Sequence, residues 1–128
     1  MAIQVSNMYE DNQDMQFHIN KMVDWQEIVL LREEDFSDYQ KYQETEDELY
    51  AMAPSSIEEA VDQYQMILQG IGEISAKEFL PNARAIDEEG FKFEEGKVLF
   101  PQPMNRNIQL MTENGYMGLL LPRKYGGM

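Results

Sequence analysis

The side chains of this sequence that could do chemistry are carboxylates, tyrosines and a single histidine, and their spacing argues against most catalytic roles. The chain has one histidine, His18, and no cysteine, so a zinc or iron site lacks the nitrogen and sulfur ligands it would gather. His18 has no His-Glu-x-x-His or Glu-x-x-His spacing around it and reads as a partly exposed helix histidine. Acids cluster at Glu33-Glu34-Asp35, Glu44-Glu46-Asp47-Glu48, Glu58-Glu59, Asp87-Glu88-Glu89 and Glu94-Glu95, without the Asp-x-Asp-x-Asp-Gly order of a calcium loop. Paired carboxylates act as acid and base only where a partly desolvated cleft splits their pKa values, and these clusters read as solvated faces. Glycine-rich phosphate loops, nucleophile elbows and a catalytic cysteine are absent. The expectation is that these residues include no catalytic, cofactor-binding or metal-ligating group.

Charge narrows the partners further. Twenty-four acids against ten Lys and Arg give a net charge of −14 over 128 residues, which opposes contact with a nucleic-acid backbone or an anionic membrane surface. No apolar run approaches the roughly 20 residues of a membrane span. Met1 to Asn7 lack the basic flank and apolar centre of a signal peptide, so a cytoplasmic location is expected. The length suits one domain with one core. Ten methionines are expected to fill gaps in that core.

The elements that would position any site are helices, and the predicted fold class is all-α: a helical bundle with one long Pro-kinked helix and a small β-hairpin near 91–100. Two parts are expected, an N-terminal helical extension over 1–55 and a core over 56–128, joined as one structural domain. Residues 1 to 11 show no period and read as a loosely attached lead. Asn12 or Asp14 caps a first helix carrying Met15, Ile19, Met22 and Val23. Asp24 caps a second, whose inner face is read as Trp25, Ile28, Val29 and Arg32. Phe36, Tyr39, Tyr42 and Tyr50 recur at helical spacing as a packing stripe, with Asp38 or Ser37 starting the helix. After Ala53-Pro54, Ser56 and Glu59 form a capping box, with Ser55 and Glu58 as the alternative pair one residue earlier. From Ile57 to Phe79 the apolar residues follow the i, i+3, i+4 rule. Gly70 and Gly72 within that helix predict close approach of a neighbouring helix. Pro81 predicts a kink and Gly90 a left-handed stop. Phe91 to Phe100 alternates around Glu94-Glu95-Gly96 as a hairpin. Pro101 and Pro103 open a last helix carrying Met104, Ile108 and Met111, which Gly115 ends.

The most apolar stretch comes last, Gly115-Tyr116-Met117-Gly118-Leu119-Leu120-Leu121-Pro122-Arg123-Lys124-Tyr125-Gly126-Gly127. It resembles a segment of the N-terminal helical domain of the acyl-CoA dehydrogenase family that closes one helix and turns into the next. The long helix carrying a proline and ending in Ile86-Asp87-Glu88-Glu89-Gly90 resembles a second landmark of that family. Asn12-Gln13-Asp14-Met15-Gln16-Phe17 is similar to the N-terminal extension of one of its branches. One departure is Arg123-Lys124, where the family more often has acids, and these two read as surface residues. The resemblance covers Ile57 to Met128 and implies a separated or truncated N-terminal domain of a flavoenzyme. In the full-length enzyme it implies FAD, an acyl-CoA substrate dehydrogenated at its α,β carbons, an electron-transfer protein, the enzyme's remaining domains and a homo-oligomer. The family's flavin-binding residues and glutamate base lie outside the matching segment, so no catalytic or cofactor residue carries over. What does carry over is a structural turn towards the substrate region, built from Pro122, Tyr125, Gly126 and Gly127. The alternative reading is a free-standing acidic helical module that binds a partner protein through its acidic faces or exposed leucines.

Overall fold

Ser56 sits in extended geometry and its hydroxyl accepts the Glu59 amide at 3.2 Å, which starts the longest element. The return half of the box differs from the predicted pairing: the Glu59 carboxylate accepts from the amide and hydroxyl of Ser55, at 2.8 and 2.7 Å. That double contact holds the Glu59 carboxyl below its ordinary pKa, and Glu58 takes no part in it. The computed structural model describes residues 5–128. Within them α1 spans Gln13–Phe17 and continues as a π turn over His18–Met22, followed by α2 at Trp25–Arg32 and α3 at Ser37–Thr45. The capped helix, α4, is Ile57–Ile74; it runs through a π turn at Ser75–Phe79 into α5 at Leu80–Glu89. Two short strands follow, β1 at Lys92–Glu94 and β2 at Lys97–Leu99, then α6 at Gln102–Glu113. The fold is all-α with a small antiparallel hairpin.

Pro81 lies in the first turn of α5, directly after the π turn, and the chain stays helical through it. A proline removes one amide and crowds the carbonyl four residues back. Here the preceding turn is wound wider, with the Leu80 amide donating to the Ser75 carbonyl five residues earlier, the local form that π bulges take. The Asn82 side chain donates to the Glu78 carbonyl at 2.8 Å, giving a further carbonyl of that turn a partner.

The core is small and lies along one side of α4. Val29 of α2 and Ala60 of α4 are fully enclosed, and Tyr9, Ala53 and Ala76 are buried with them. Trp25 packs obliquely on Tyr64 with ring centres 6.0 Å apart, and its indole donates to the Ile19 carbonyl at 2.9 Å. The expected caps are present, since Asn12 accepts the Met15 amide and Asp24 the Glu27 amide. The aromatic stripe of α3 is only half covered, and that helix begins after Phe36 without a side-chain cap.

Three expectations are corrected. The lead is docked: Asn7 and Tyr9 are buried, the Asn7 carboxamide donates to the Gln69 carbonyl at 3.0 Å, and the Met8 amide donates to the Gly72 carbonyl at 2.9 Å. Residues 1–4 of that predicted lead lie outside the described residues. Gly70 and Gly72 do admit close neighbours, but those are the Tyr116 hydroxyl and the Asn7–Tyr9 segment rather than a helix. Backbone carbonyls near a glycine offer the docking chain an approach that any Cβ would block. The methionines are mostly outside the core, Met15, Met22, Met52, Met66 and Met117 all being exposed.

In the hairpin Glu95 and Gly96 take φ of 50° and 78°, the pair of positive values that suits a tight two-residue turn. Its cross-strand pairs are Lys92 with Leu99, Phe93 with Val98 and Glu94 with Lys97. No helix among the described residues is long and apolar enough to cross a membrane.

Candidate functional site

Trp25, Val29 and Glu33 recur every fourth residue, so they stack along one stripe of α2. Val29 is fully buried, and Glu33 one turn later is carried into the same interior at 3% exposure. Arg32, predicted for this face, is exposed. A buried carboxylate is costly unless charge and hydrogen bonds satisfy it. Glu33 is satisfied from two distant elements. Arg123, 4% exposed, donates through its two terminal nitrogens to both carboxylate oxygens at 2.6 and 3.3 Å. Tyr64, on the inner face of α4, donates its hydroxyl to Oε1. Asp38, in the first turn of α3, approaches the same terminal nitrogen of Arg123 at 3.5 Å.

The backbone that delivers Arg123 is the predicted turn. Pro122, at φ −58° and ψ 146°, breaks the preceding apolar run and leads into a 3₁₀ turn at Arg123–Tyr125. Gly126 ends that turn at φ 80°, a left-handed conformation suited to glycine. Gly127 is required for a different reason: a Cβ there would overlap the Leu121 carbonyl, while its amide donates to the Pro122 carbonyl at 3.3 Å. Tyr125 lies on the outside with Lys124 5.0 Å from its ring centre. Of the four predicted turn residues, Pro122, Gly126 and Gly127 thus shape the turn and Tyr125 stays at its rim. Arg123 was read as a surface residue and is the anchor; its burial follows from the carboxylate waiting at Glu33.

Electrostatics keep the Arg123 guanidinium charged. Burial opposes charge on Arg123, but Glu33 and Asp38 outweigh it and the guanidinium pKa is raised. Burial pushes the Tyr64 hydroxyl up as well, and the Glu33 carboxylate that accepts its proton adds to the shift. Tyr64 therefore stays protonated as a donor. Both Glu33 oxygens are engaged by Arg123 and Tyr64, so this carboxylate serves as a structural acceptor.

Beside the cluster lies an open cavity of about 560 Å³. Leu49, Met52, Met66, Ile67 and Leu119 make its apolar surface, and Arg32, Gln63, Tyr64 and Tyr116 bring polar groups to it. The terminal segment forms one side through Gly126, Gly127 and Met128, and Arg32 donates to the Met128 carbonyl at 2.7 Å. The other acid clusters stay apart, and among the described residues no group of three or more His, Cys, Asp or Glu is placed to hold a metal ion. His18 is exposed, with the Phe17 ring edge-on at 5.9 Å.

Sequence reasoning missed Glu33, Asp38 and Arg123. The four-residue spacing of Trp25, Val29 and Glu33 was the available signal for the first, and no local signal pairs it with a residue in the last turn. Comparison with known families, with curated proteins and with solved structures gave no match.

Proposed function

We propose that this chain is the N-terminal helical domain of an FAD-dependent acyl-CoA dehydrogenase, which in its full-length form oxidises the α,β bond of an acyl-CoA thioester. The observation that carries the reading is the order of its landmarks. A proline-bearing long helix ends at Ile86-Asp87-Glu88-Glu89-Gly90, and Gly115-Tyr116-Met117-Gly118, Pro122 and Tyr125-Gly126-Gly127 follow. On this reading the domain supplies no catalytic group by itself, and Glu33 serves it structurally, engaged by Arg123 and Tyr64. On this reading the flavin is held outside the described residues. A pyrophosphate asks for cationic or backbone-amide partners; the cavity surface is chiefly apolar, Arg123 is paired with Glu33, Arg32 donates to the Met128 carbonyl and Glu48 brings negative charge. FAD, the acyl-CoA, an electron-transfer partner and a homo-oligomer belong to the full-length enzyme, with a cytoplasmic location. Titrating the purified chain with FAD and following the flavin bands is expected to show no stoichiometric binding. One flavin per chain would contradict this placement of the cofactor. Reading the genomic frame past Met128 tests the enzyme assignment itself, which requires a following β-rich domain.

A second reading, a free-standing protein-interaction module, is favoured by one observation. Leu120 is 92% exposed and the hairpin residues Phe91, Phe93 and Val98 are uncovered, an apolar display of the kind that marks binding surfaces. A stable, monodisperse chain in light scattering, encoded by a frame that stops at Met128, would support that module over the enzyme domain.

A further inference from the structure

A turn of three consecutive left-handed residues meets the buried ion pair at Glu33. Glu34, Asp35 and Phe36 have φ of 48°, 54° and 64°. L residues are sterically disfavoured there, and such geometry persists only where the surroundings over-determine it. The surroundings in this case are the two acids that flank the turn. Glu33 precedes it and Asp38 follows it by two residues, and both are gripped by Arg123. A single guanidinium therefore spans the strained turn from end to end. The same side chain anchors the terminal segment, whose Leu119, Gly126, Gly127 and Met128 line the cavity beside Tyr64.

We propose that the 34–36 turn and the terminal segment 119–128 are two halves of one latch with Arg123 as its bolt. They open together: the turn relaxes to right-handed geometry as the segment lifts, and the cavity beside Tyr64 loses the wall that the segment supplies. The strain in the turn favours opening, and the grip of Arg123 on Glu33 and Asp38 holds it shut. The inference rests on the positive-φ turn and on the contacts of Arg123 with Glu33 and Asp38, and it stands whichever functional reading holds.

Native-state hydrogen exchange on the full chain tests it, using amides from each half. On one side are Asp35, which donates to the Leu30 carbonyl, and Ser37, which donates to those of Glu33 and Glu34; on the other are Tyr125, Gly126 and Gly127, which donate to those of Pro122 and Arg123. Glycine adopts φ 54° freely, so Asp35→Gly removes strain without touching the bolt. Its expected effect is slower opening, roughly five-fold, at Tyr125, Gly126 and Gly127 as well as around the turn. Arg123→Met is expected to speed exchange at both sets and to raise binding of an apolar dye such as ANS. Should Asp35→Gly leave Tyr125, Gly126 and Gly127 unchanged, whatever it does near residue 35, the two halves open independently and the latch is overturned. Because Asp35→Gly relieves strain, that outcome can be read even if Arg123→Met fails to fold.

Discussion

The two ends of this protein solve opposite problems. At the Glu33 end, charged side chains are inside: Glu33 and Arg123 are as buried as the core residues Tyr9 and Ala53. At the hairpin end, apolar side chains are outside: Phe91 lies edge-on to Phe100 at 5.5 Å and Phe93 pairs with Val98, yet all four stay largely exposed, Phe93 at 73%. Residue type alone would place them the other way round. What decides placement is the presence of partners. Glu33 finds a guanidinium and a tyrosine on two other elements, whereas the strands of the hairpin find chiefly one another, and a two-stranded hairpin is marginally stable by itself. Long-range ties should therefore dominate stability at the first end and barely register at the second.

Substitutions can break or sharpen that contrast. The largest effect is expected at Arg123→Met, which leaves Glu33 buried with Tyr64 as its remaining partner; loss of about 3–5 kcal/mol in urea unfolding is expected. Gly72→Ala comes next, at about 1–3 kcal/mol, because its Cβ would strike the Asn7 side chain and the Tyr9 backbone. The readout is the same unfolding curve, together with exposure of the residue 7–9 segment to protease. Ser56→Ala removes the acceptor of the Glu59 amide and should cost about 1 kcal/mol. At the hairpin, Phe93→Thr should stay within about 0.5 kcal/mol of the parent. A larger loss there would mean the hairpin is held by contacts beyond its own pairing.

Acid should sharpen the picture by a separate route. Backbone and side-chain hydrogen bonds from Ser55 hold Glu59 below its ordinary pKa, and the Asn7 and Ser6 amides do the same for exposed Asp11. For carboxyls depressed in the folded state, the contribution to stability is present above the unfolded pKa and is lost as pH falls through the folded one. Unfolding midpoints should thus fall as pH is lowered through the carboxylate range, and the fall should be shallower in Glu59→Gln. An identical acid limb in parent and variant would show that the Ser55 contacts do not hold in solution.

Local rules carried much of this fold. Asn12, Asp24 and Ser56 cap helices because each has a side-chain oxygen directly before an apolar-periodic run, and Gly115 and Gly126 sit at φ 75° and 80°. The π turn before Pro81 was not legible, since periodicity does not reveal which carbonyls a wider winding will release. Burial of Asn7 and Tyr9 was missed because their partners lie on the last turns of α4, at Gln69 and Gly72. The candidate site was the least legible part. The acid run Glu33-Glu34-Asp35 looks uniform in sequence, but one member is buried while the next two take positive φ on the surface. The four-residue spacing from Trp25 and Val29 sets Glu33 apart, and Arg123, held by a turn far along the sequence, supplies its counter-charge.

The central claim is that the Glu33–Arg123 pair ties the α2–α3 junction to the 122–127 turn, and a double-mutant cycle tests it most directly. Unfolding free energies of the parent, Glu33→Gln, Arg123→Met and the double variant should give a coupling of about 2–3 kcal/mol between the two positions. A coupling within about 0.5 kcal/mol of zero, the value of an exposed ion pair, would contradict the account.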